Sequence, residues 1–350
     1  MYEKETSEAI GILKSMISMP SFSREEKAVA DFLENFVAGK GFVPVRIENN
    51  ILLYSTNFDE KRKTFLLNSH IDTVKPVSAW NFDPFTPIEK EEKLFGLGSN
   101  DAGASVVTLL EAFFILNEKN LPYNLIFLAS AEEEISGKNG IELVLNKLPI
   151  IDLAIVGEPT EMKLAVAEKG LMVLNCITHG KAGHAARNEG ENAIYKALND
   201  IEWFKNYRFD KISPFLGEVK MSVTQINAGT QHNVVPDECK FVVDIRSNEL
   251  YSNNEILSII KENVKCDFVP RSTRLSSSKT PDNHLIIKKG KELNIEMFGS
   301  PTLSDQALMP FASVKIGPGK SERSHTADEF IMIDEIQQAI EMYVNLLENL

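Results

Sequence analysis

The chain has little cysteine, no surplus of positive charge and no apolar run that reads as a membrane span. Its three cysteines, Cys176, Cys239 and Cys266, are odd in number and far apart. That spacing argues against a disulfide framework and against a thiolate metal site, and leaves them as ordinary core residues. Acidic residues outnumber basic ones by 50 to 37, a net charge of −13. A phosphate-binding surface needs the opposite balance, so no nucleic-acid partner is expected. The opening residues Met1-Tyr2-Glu3-Lys4-Glu5 have neither the basic start nor the apolar core of a signal peptide. The expectation is a cytoplasmic protein without a membrane partner.

What remains is the composition of a soluble globular protein, 43% hydrophobic and 25% charged over 350 residues, a length that exceeds what one core usually serves. Apolar residues recur at helical spacing from Glu5 to Met19 and from Arg24 to Gly41, with Pro20-Ser21-Phe22-Ser23 between them. Short apolar runs at Lys63 to Ile71, Leu125 to Ala131 and Ile151 to Val156 read as buried strands. Amphipathic stretches at Ala104 to Asn117 and Asn139 to Leu148 read as the helices between them. Strands alternating with helices imply a layered α/β domain.

From about Ala167 the pattern changes to β-branched alternation, as in Lys240-Phe241-Val242-Val243-Asp244-Ile245-Arg246, which suits strands with one solvated face. With helical patterns at Glu191 to Asn206 and Asn254 to Asn263, this stretch predicts a small α+β unit of the split βαβ kind, ending near Ser272. The α/β pattern then resumes through the final helix, Ile333 to Leu347. The expected organisation is a discontinuous domain, residues 1–166 and 273–350, interrupted by an insert at 167–272.

Chemistry-bearing residues collect just after the apolar strands. His70 and Asp72 end the first run. Asp101 follows Gly96-Leu97-Gly98-Ser99-Asn100, Glu132-Glu133-Glu134 follow the second strand, Glu158 follows the third, and His325 lies in Ser324-His325-Thr326-Ala327-Asp328-Glu329. Each has an ordinary structural use: a core histidine, a helix cap or turn, a solvated acidic helix start. Together they share one topological position, the carboxyl ends of strands in an open sheet, where α/β proteins build their sites. Asp72 lies two residues beyond His70, on the same side of an extended segment, so its carboxylate can reach the imidazole and fix its tautomer. Three adjacent carboxylates repel unless a cation is near, and neighbours at a strand end can divide the work of holding a metal and moving a proton. Two nucleotide motifs fail: Asp101 stands where the third glycine of Gly-x-Gly-x-x-Gly belongs, and Val314 replaces the first glycine of a phosphate loop ending in Gly319-Lys320-Ser321.

These motifs resemble those of the co-catalytic zinc amidohydrolases that include acetylornithine deacetylase, succinyl-diaminopimelate desuccinylase, aminoacylase and glutamate carboxypeptidase, and the resemblance runs along essentially the whole chain. It implies a zinc-exopeptidase-like three-layer α/β catalytic domain with an inserted α+β, ferredoxin-like lid that also dimerises. It implies two Zn²⁺ ions, with Co²⁺ able to substitute. His70 and Glu158 would hold the first ion, Glu134 and His325 the second, and Asp101 would bridge them, with Asp72 orienting His70. Glu133 would be the general base. In the insert, Gly180-Lys181-Ala182-Gly183-His184 resembles the lid motif whose histidine reaches the scissile carbonyl across a homodimer. Asn233 and Arg246 match positions that grip the substrate carboxylate, and Gly317-Pro318-Gly319 matches a loop whose amides line the pocket. Arg187, Arg271, Arg274, Lys315, Lys320 and Arg323 are further candidates for a pocket cation.

The chain also departs from the family pattern. Ala102-Gly103-Ala104-Ser105 stands where many relatives have Lys-Gly, Glu132 where Asp is usual, and Asn188 where proline often follows the lid histidine. The resulting version looks most like an acetylornithine-type deacylase of arginine synthesis. The expected reaction is therefore hydrolysis of an N-acyl amino acid, an N-acetyl- or N-succinyl-ornithine or -citrulline, with a desuccinylase, a dipeptidase or a non-catalytic binding protein on this fold as alternatives.

Overall fold

The computed structural model describes residues 2–187, 189–348 and 350; Asn188 therefore lies outside the described residues. The chain divides into two compact units. The first comprises Met1–Val166, Lys279–Phe298 and Ser304–Leu350, the second Ala167–Ser278 and Gly299–Leu303.

The first unit is organised by strands buried on both faces. Thr64–His70 and Asn124–Ser130 are buried at every position, as expected of parallel strands covered by helices on either side. Thr64–His70 pairs in parallel with Asn124–Ser130 on one side and Leu153–Val156 on the other, and Leu153–Val156 pairs in parallel with Ser313–Lys315. Beyond this core Asn50–Tyr54 joins antiparallel to Asn124–Ser130. Successive side chains divide between two apolar layers. Phe65, Leu67 and Phe127 pack with Leu13, Leu110, Phe113 and Tyr343 from the helices Glu3–Ile17, Ala104–Asn117 and Ile333–Leu347. Leu66, Ile126 and Leu128 pack with Ile141 and Val144 of the helix Ile141–Leu145 on the opposite face. This is the layered α/β domain that the sequence pattern predicts, in the three-layer form that the family resemblance implies.

Two local differences have physical causes. The stretch Ser99–Asn117 has the length and apolarity to cross a membrane, contrary to the reading that no run does, but 83% of its window is buried and it is the central core helix. The second N-terminal helix begins at Lys27, not Arg24. Arg24 has φ 77° and donates its N–H to the Glu26 carboxylate at 2.6 Å, which holds the chain in a turn before the helix.

The second unit is an antiparallel sheet in the order Lys220–Ala228, Glu238–Ser247, Gly170–His179, Asp267–Pro270, with helices Ala193–Asn206 and Asn253–Asn263. Met172, Leu174 and Cys176 from one central strand and Cys239, Phe241, Val243 and Ile245 from the other form its core with Phe204 and Ile256 of the helices. The strand–helix–strand–strand–helix–strand order is the split βαβ arrangement of a ferredoxin-like unit. All three cysteines are buried and unbridged. The unit runs on to Ser278 instead of ending at Ser272. Leu275 accepts a hydrogen bond from Leu171, Ser277 Oγ donates to the Glu168 carbonyl, and Lys169 donates to Ser300, so these later residues belong to its edge.

Candidate metal centre

Three adjacent strands of the first unit deliver most of the chemistry. His70 is the last residue of its strand, Glu133 and Glu134 follow Asn124–Ser130, and Glu158 follows Leu153–Val156. Asp101 comes from the loop that leads into the core helix, and His325 from the loop before Phe330–Met332. Side chains at the carboxyl ends of neighbouring parallel strands converge because the strands are only about 5 Å apart.

They form two groups that share one carboxylate. His70 Nε2 lies 3.2 Å from Asp101 Oδ1, 3.8 Å from Glu158 Oε1 and 3.9 Å from Glu133 Oε2. His325 Nε2 lies 3.1 Å from Glu134 Oε2 and 3.7 Å from Asp101 Oδ2. Potential ligand atoms of His70, Asp101 and Glu158 fall within 4.8 Å of one another, as do those of Asp101, Glu134 and His325. Asp101 thus turns one oxygen to each group. His70 is 2% exposed in its side chain and His325 53%, so the first group is closed and the second open.

Four carboxylates around two imidazoles make this a strongly anionic pocket. Burial pulls the His70 pKa down, but the Asp101 and Asp72 contacts outweigh it and hold the imidazole well above its ordinary value. The Glu134 contact raises His325 to about 9. Burial pushes Glu133 well above the usual carboxylate range, His70 opposing it in part. Such shifts mark a place where positive charge is required, met by protons or by cations. The donors suit a borderline divalent ion such as zinc: each group offers one imidazole nitrogen and two carboxylates, fewer than four protein ligands, as catalytic sites do. The first unit contains no cysteine, so nitrogen and oxygen are the only donors it can offer alongside weak thioethers.

The support of His70 differs from the expectation in which atoms do it. Its Nδ1 lies 2.9 Å from the backbone carbonyl of Asp72, while the Asp72 carboxylate stands off at 3.4 Å. That carboxylate is engaged elsewhere. Oδ1 accepts the Glu133 N–H at 3.0 Å, and Oδ2 accepts the Glu134 N–H at 3.1 Å and the Ser23 hydroxyl at 2.7 Å. One residue therefore orients the first imidazole and pins the backbone of Glu133 and Glu134. Around it lie groups that no motif announced. Asp305 accepts from Ser130 Oγ at 2.6 Å and Asn68 Nδ2 at 2.9 Å, tying two central strands together, and burial raises it to about 6. Glu26, fully buried, accepts the Glu132 N–H at 3.2 Å, and Glu329 accepts three amides of the Asp101 loop.

The remaining candidates separate. The Gly317 N–H donates to Thr160 Oγ1 at 3.0 Å and its carbonyl accepts from Thr160 and Met162, so its amide is used in building the loop and is not offered to a ligand. Gly319 has φ 85°, and a Cβ there would meet Asn100 Oδ1 at 2.3 Å, so both the backbone and the space select glycine. Arg323 is held by both oxygens of Glu335, at 2.6 and 3.1 Å, and Lys320 pairs with Glu161 at 3.3 Å. Lys315 is buried on its strand. His184 and Asn233 belong to the second unit and are neighbours there: His184 pairs with Val234, and Ala185 donates to the Asn233 carbonyl. His184 Nδ1 accepts the Ala186 N–H at 3.2 Å, which leaves the proton of a neutral ring on Nε2. Arg246 lies on Glu238–Ser247 with its guanidinium on Asp244 at 2.9 and 3.2 Å.

Comparison with known proteins gives a consistent picture. The model of peptidase family M20/M25/M40 matches residues 66–349. A succinyl-diaminopimelate desuccinylase of Sulfurimonas denitrificans is 26% identical over 97% of this chain and 98% of its own. An acetylornithine deacetylase of Buchnera aphidicola is 25% identical over 97% of each. Among solved structures, an aminopeptidase PepT from Bacillus cereus has a TM-score of 0.81 at 18% identity, covering 98% of both chains.

Proposed function

Because the chain belongs to peptidase family M20/M25/M40, and is on that ground a metal-dependent hydrolase, we propose that it removes the acyl group from an N-acyl-L-amino acid. The substrate is an N-acetyl- or N-succinyl-ornithine or -citrulline, in a step of arginine synthesis. The observation that carries the hydrolytic part of this reading is the division of Asp101 between two ligand groups with Glu133 beside them; the substrate rests on the resemblance of the motifs to acetylornithine-type deacylases. His70, Asp101 and Glu158 would hold one zinc ion, and Asp101, Glu134 and His325 a second, with cobalt able to replace either.

Two such ions, when bound, supply the positive charge that lowers the pKa of water toward roughly 7 and polarises an amide carbonyl. Glu133 takes the proton of the attacking water on its carboxylate and returns it to the leaving nitrogen. Asp72 keeps the Glu133 backbone fixed through both. His184 donates from Nε2 to the carbonyl oxygen as it becomes an oxyanion, and the tautomer set by the Ala186 N–H supports that role. Arg246 and Asn233 grip the α-carboxylate. The Arg246 fork, already engaged by Asp244, keeps further N–H donors for it. The second unit is the lid and the homodimer contact. Tyr195, Leu198 and Ile226 on it are exposed apolar side chains of the kind a second copy covers.

A panel of N-acetyl and N-succinyl derivatives of ornithine, citrulline and diaminopimelate, with dipeptides, assayed with zinc and cobalt, tests the substrate. Cleavage of the ornithine or citrulline derivatives with the highest kcat/KM is expected. Preference for succinyl-diaminopimelate would make the chain a desuccinylase, and hydrolysis that survives chelation would reject the metal mechanism. A fully active monomer in solution would reject the dimer.

A further inference from the structure

Glu329 is the last residue of the segment that carries His325, yet nothing in the chemistry above uses it. It is 2% exposed. Its Oε1 accepts the N–H of Asn100 at 2.8 Å and of Asp101 at 2.9 Å, and Oε2 accepts the N–H of Gly98 at 3.0 Å. Its own carbonyl accepts the N–H of Gly96 at 3.0 Å. Amides that curl around one carboxylate form an anion nest, and this one depends on Gly98 at φ 76°. Asn100 fastens the same loop from its other side: its Nδ2 donates to the Lys320 carbonyl at 3.0 Å and to Ser324 Oγ at 3.2 Å, and its Oδ1 accepts the Lys320 N–H at 2.9 Å.

A buried carboxylate is an expensive way to close a loop, because removing its charge from water costs several kcal/mol unless donors replace the water. The three amides stand where that water would be and oppose the burial that raises the carboxyl, and they belong to Gly98, Asn100 and Asp101, the residue bearing the shared carboxylate. We propose that Glu329 is a positioning residue: by holding the amides of Gly98, Asn100 and Asp101, it sets the direction of the Asp101 carboxylate and links it to the segment bearing His325. This rests on the reading of Asp101 as a ligand shared by two ions. The two segments are 228 and more residues apart in sequence, so the spacing of the two ligand groups depends on this contact across the fold, whatever happens within either loop.

The test uses the full chain with Glu329→Gln and Glu329→Asp, and Asp328→Asn as the control. Asp328 is the half-buried neighbour, whose carboxylate accepts from the N–H and Nδ2 of Asn81. Zn²⁺ affinity is read by competition with a chelating dye, the geometry of the centre by the visible and EPR spectra of the Co²⁺-loaded protein, and catalysis by kcat and KM separately. Glu329→Gln exchanges an acceptor for a donor facing N–H groups. It is expected to weaken binding of at least one Zn²⁺ by about 10- to 100-fold, as loss of a group orienting a ligand does. It should also alter the spectra of the Co²⁺-loaded protein and lower kcat more than it raises KM. Asp328→Asn should match the wild type throughout. Glu329→Asp keeps the charge on a shorter arm and should fall between the two. If Glu329→Gln folds but retains the wild-type Zn²⁺ affinity and Co²⁺ spectra, Glu329 is only a structural residue and the proposal fails. If it does not fold, the same readouts on Glu329→Asp decide in the same way. A wild-type protein that binds no metal would instead refute the reading of the centre on which the proposal stands.

Discussion

The two units handle polar chemistry in opposite ways. The first buries it: His70, Asp72 and Glu329 lie almost entirely out of solvent, His70 against the Asp72 carbonyl and the other two against amides brought from distant parts of the chain. The second keeps its core apolar, with Met172, Leu174, Phe241 and Val243 at the centre, and carries His184, Asn233 and Arg246 at exposed or half-buried positions. A buried polar network holds only the geometry for which it is satisfied, because an unmatched donor or acceptor there costs about 1–3 kcal/mol. Side chains on a surface can be exchanged with little effect on folding. The two candidate ligand groups thus sit in the part of the molecule that tolerates least change, and His184, Asn233 and Arg246 in the part that tolerates most.

Four variants would break or sharpen that contrast. The largest effect is expected at Glu133. Glu133→Ala should lower kcat by about 10²- to 10⁴-fold while the zinc content, measured by elemental analysis, stays at the wild-type value. Loss of metal together with activity would make Glu133 a ligand instead. His184→Ala, in the second unit, should lower kcat by about 10²- to 10³-fold, the size of one oxyanion donor, with an unchanged melting temperature. An equal loss against substrates of every size would support contact with the reacting carbonyl, whereas no loss would remove His184 from the chemistry. Arg246→Ala should act chiefly on KM, raising it roughly 10- to 100-fold for substrates with a free α-carboxylate, and should leave an analogue blocked at that carboxylate unaffected.

The smallest effect is on stability alone. Glu111, on the core helix, is buried with Oε1 unpartnered, and burial, helped by Glu8, raises its carboxyl from 4.5 to about 8. The native state therefore holds a proton there that the unfolded chain releases near 4.5. This group favours folding least at high pH: its contribution is fully present below about 4.5 and is lost as the pH rises to about 8. Glu111→Gln should remove that slope. Relative to the wild type it should gain on the order of 1–3 kcal/mol between pH 5 and pH 8, measured by chemical denaturation at the two values, with kcat unchanged. A variant less stable than the wild type at pH 8 would show that the carboxylate has a partner worth more than its burial costs.

How far the sequence could be read depended on whether an element carries a period or a contact. The strands Thr64–His70 and Asn124–Ser130 were legible because burial on two faces leaves an uninterrupted apolar run. The convergence of His70, Asp101, Glu134, Glu158 and His325 was legible because the ends of such strands meet at one edge of the sheet. Asp72 was recognised as a partner of His70, but alternation along a strand tells only which side a carboxylate faces. It says nothing of the amides that compete for it, and here the carbonyl took the imidazole and the carboxylate took Glu133 and Glu134. Ser23, Glu26 and Asp305 were not legible as parts of the site, and Glu329 was seen only as the last residue of the His325 motif. Ser23 donates to Asp72, and Glu26, Asp305 and Glu329 accept, each across dozens to hundreds of positions, and a hydrogen bond to so distant a partner leaves no mark on the spacing of a residue's neighbours. The Gly317 amide could not be seen to be engaged, since its partner Thr160 lies on another loop. The end of the insert was misjudged for a similar reason: Leu275 and Ser277 sit in a polar stretch without periodicity, and only their bonds to Leu171 and Glu168 assign them.

The hydroxyl of Ser23 has a practical corollary. The family match begins at residue 66, and a shortened enzyme designed on that boundary would still contain every candidate ligand and Glu133. It would lack Ser23, which donates to Asp72, and Glu26, which receives the amide of Glu132. The segment around Ser23 and Glu26 therefore braces the loop of Glu132 to Glu134, and a minimal version of this enzyme has to include it.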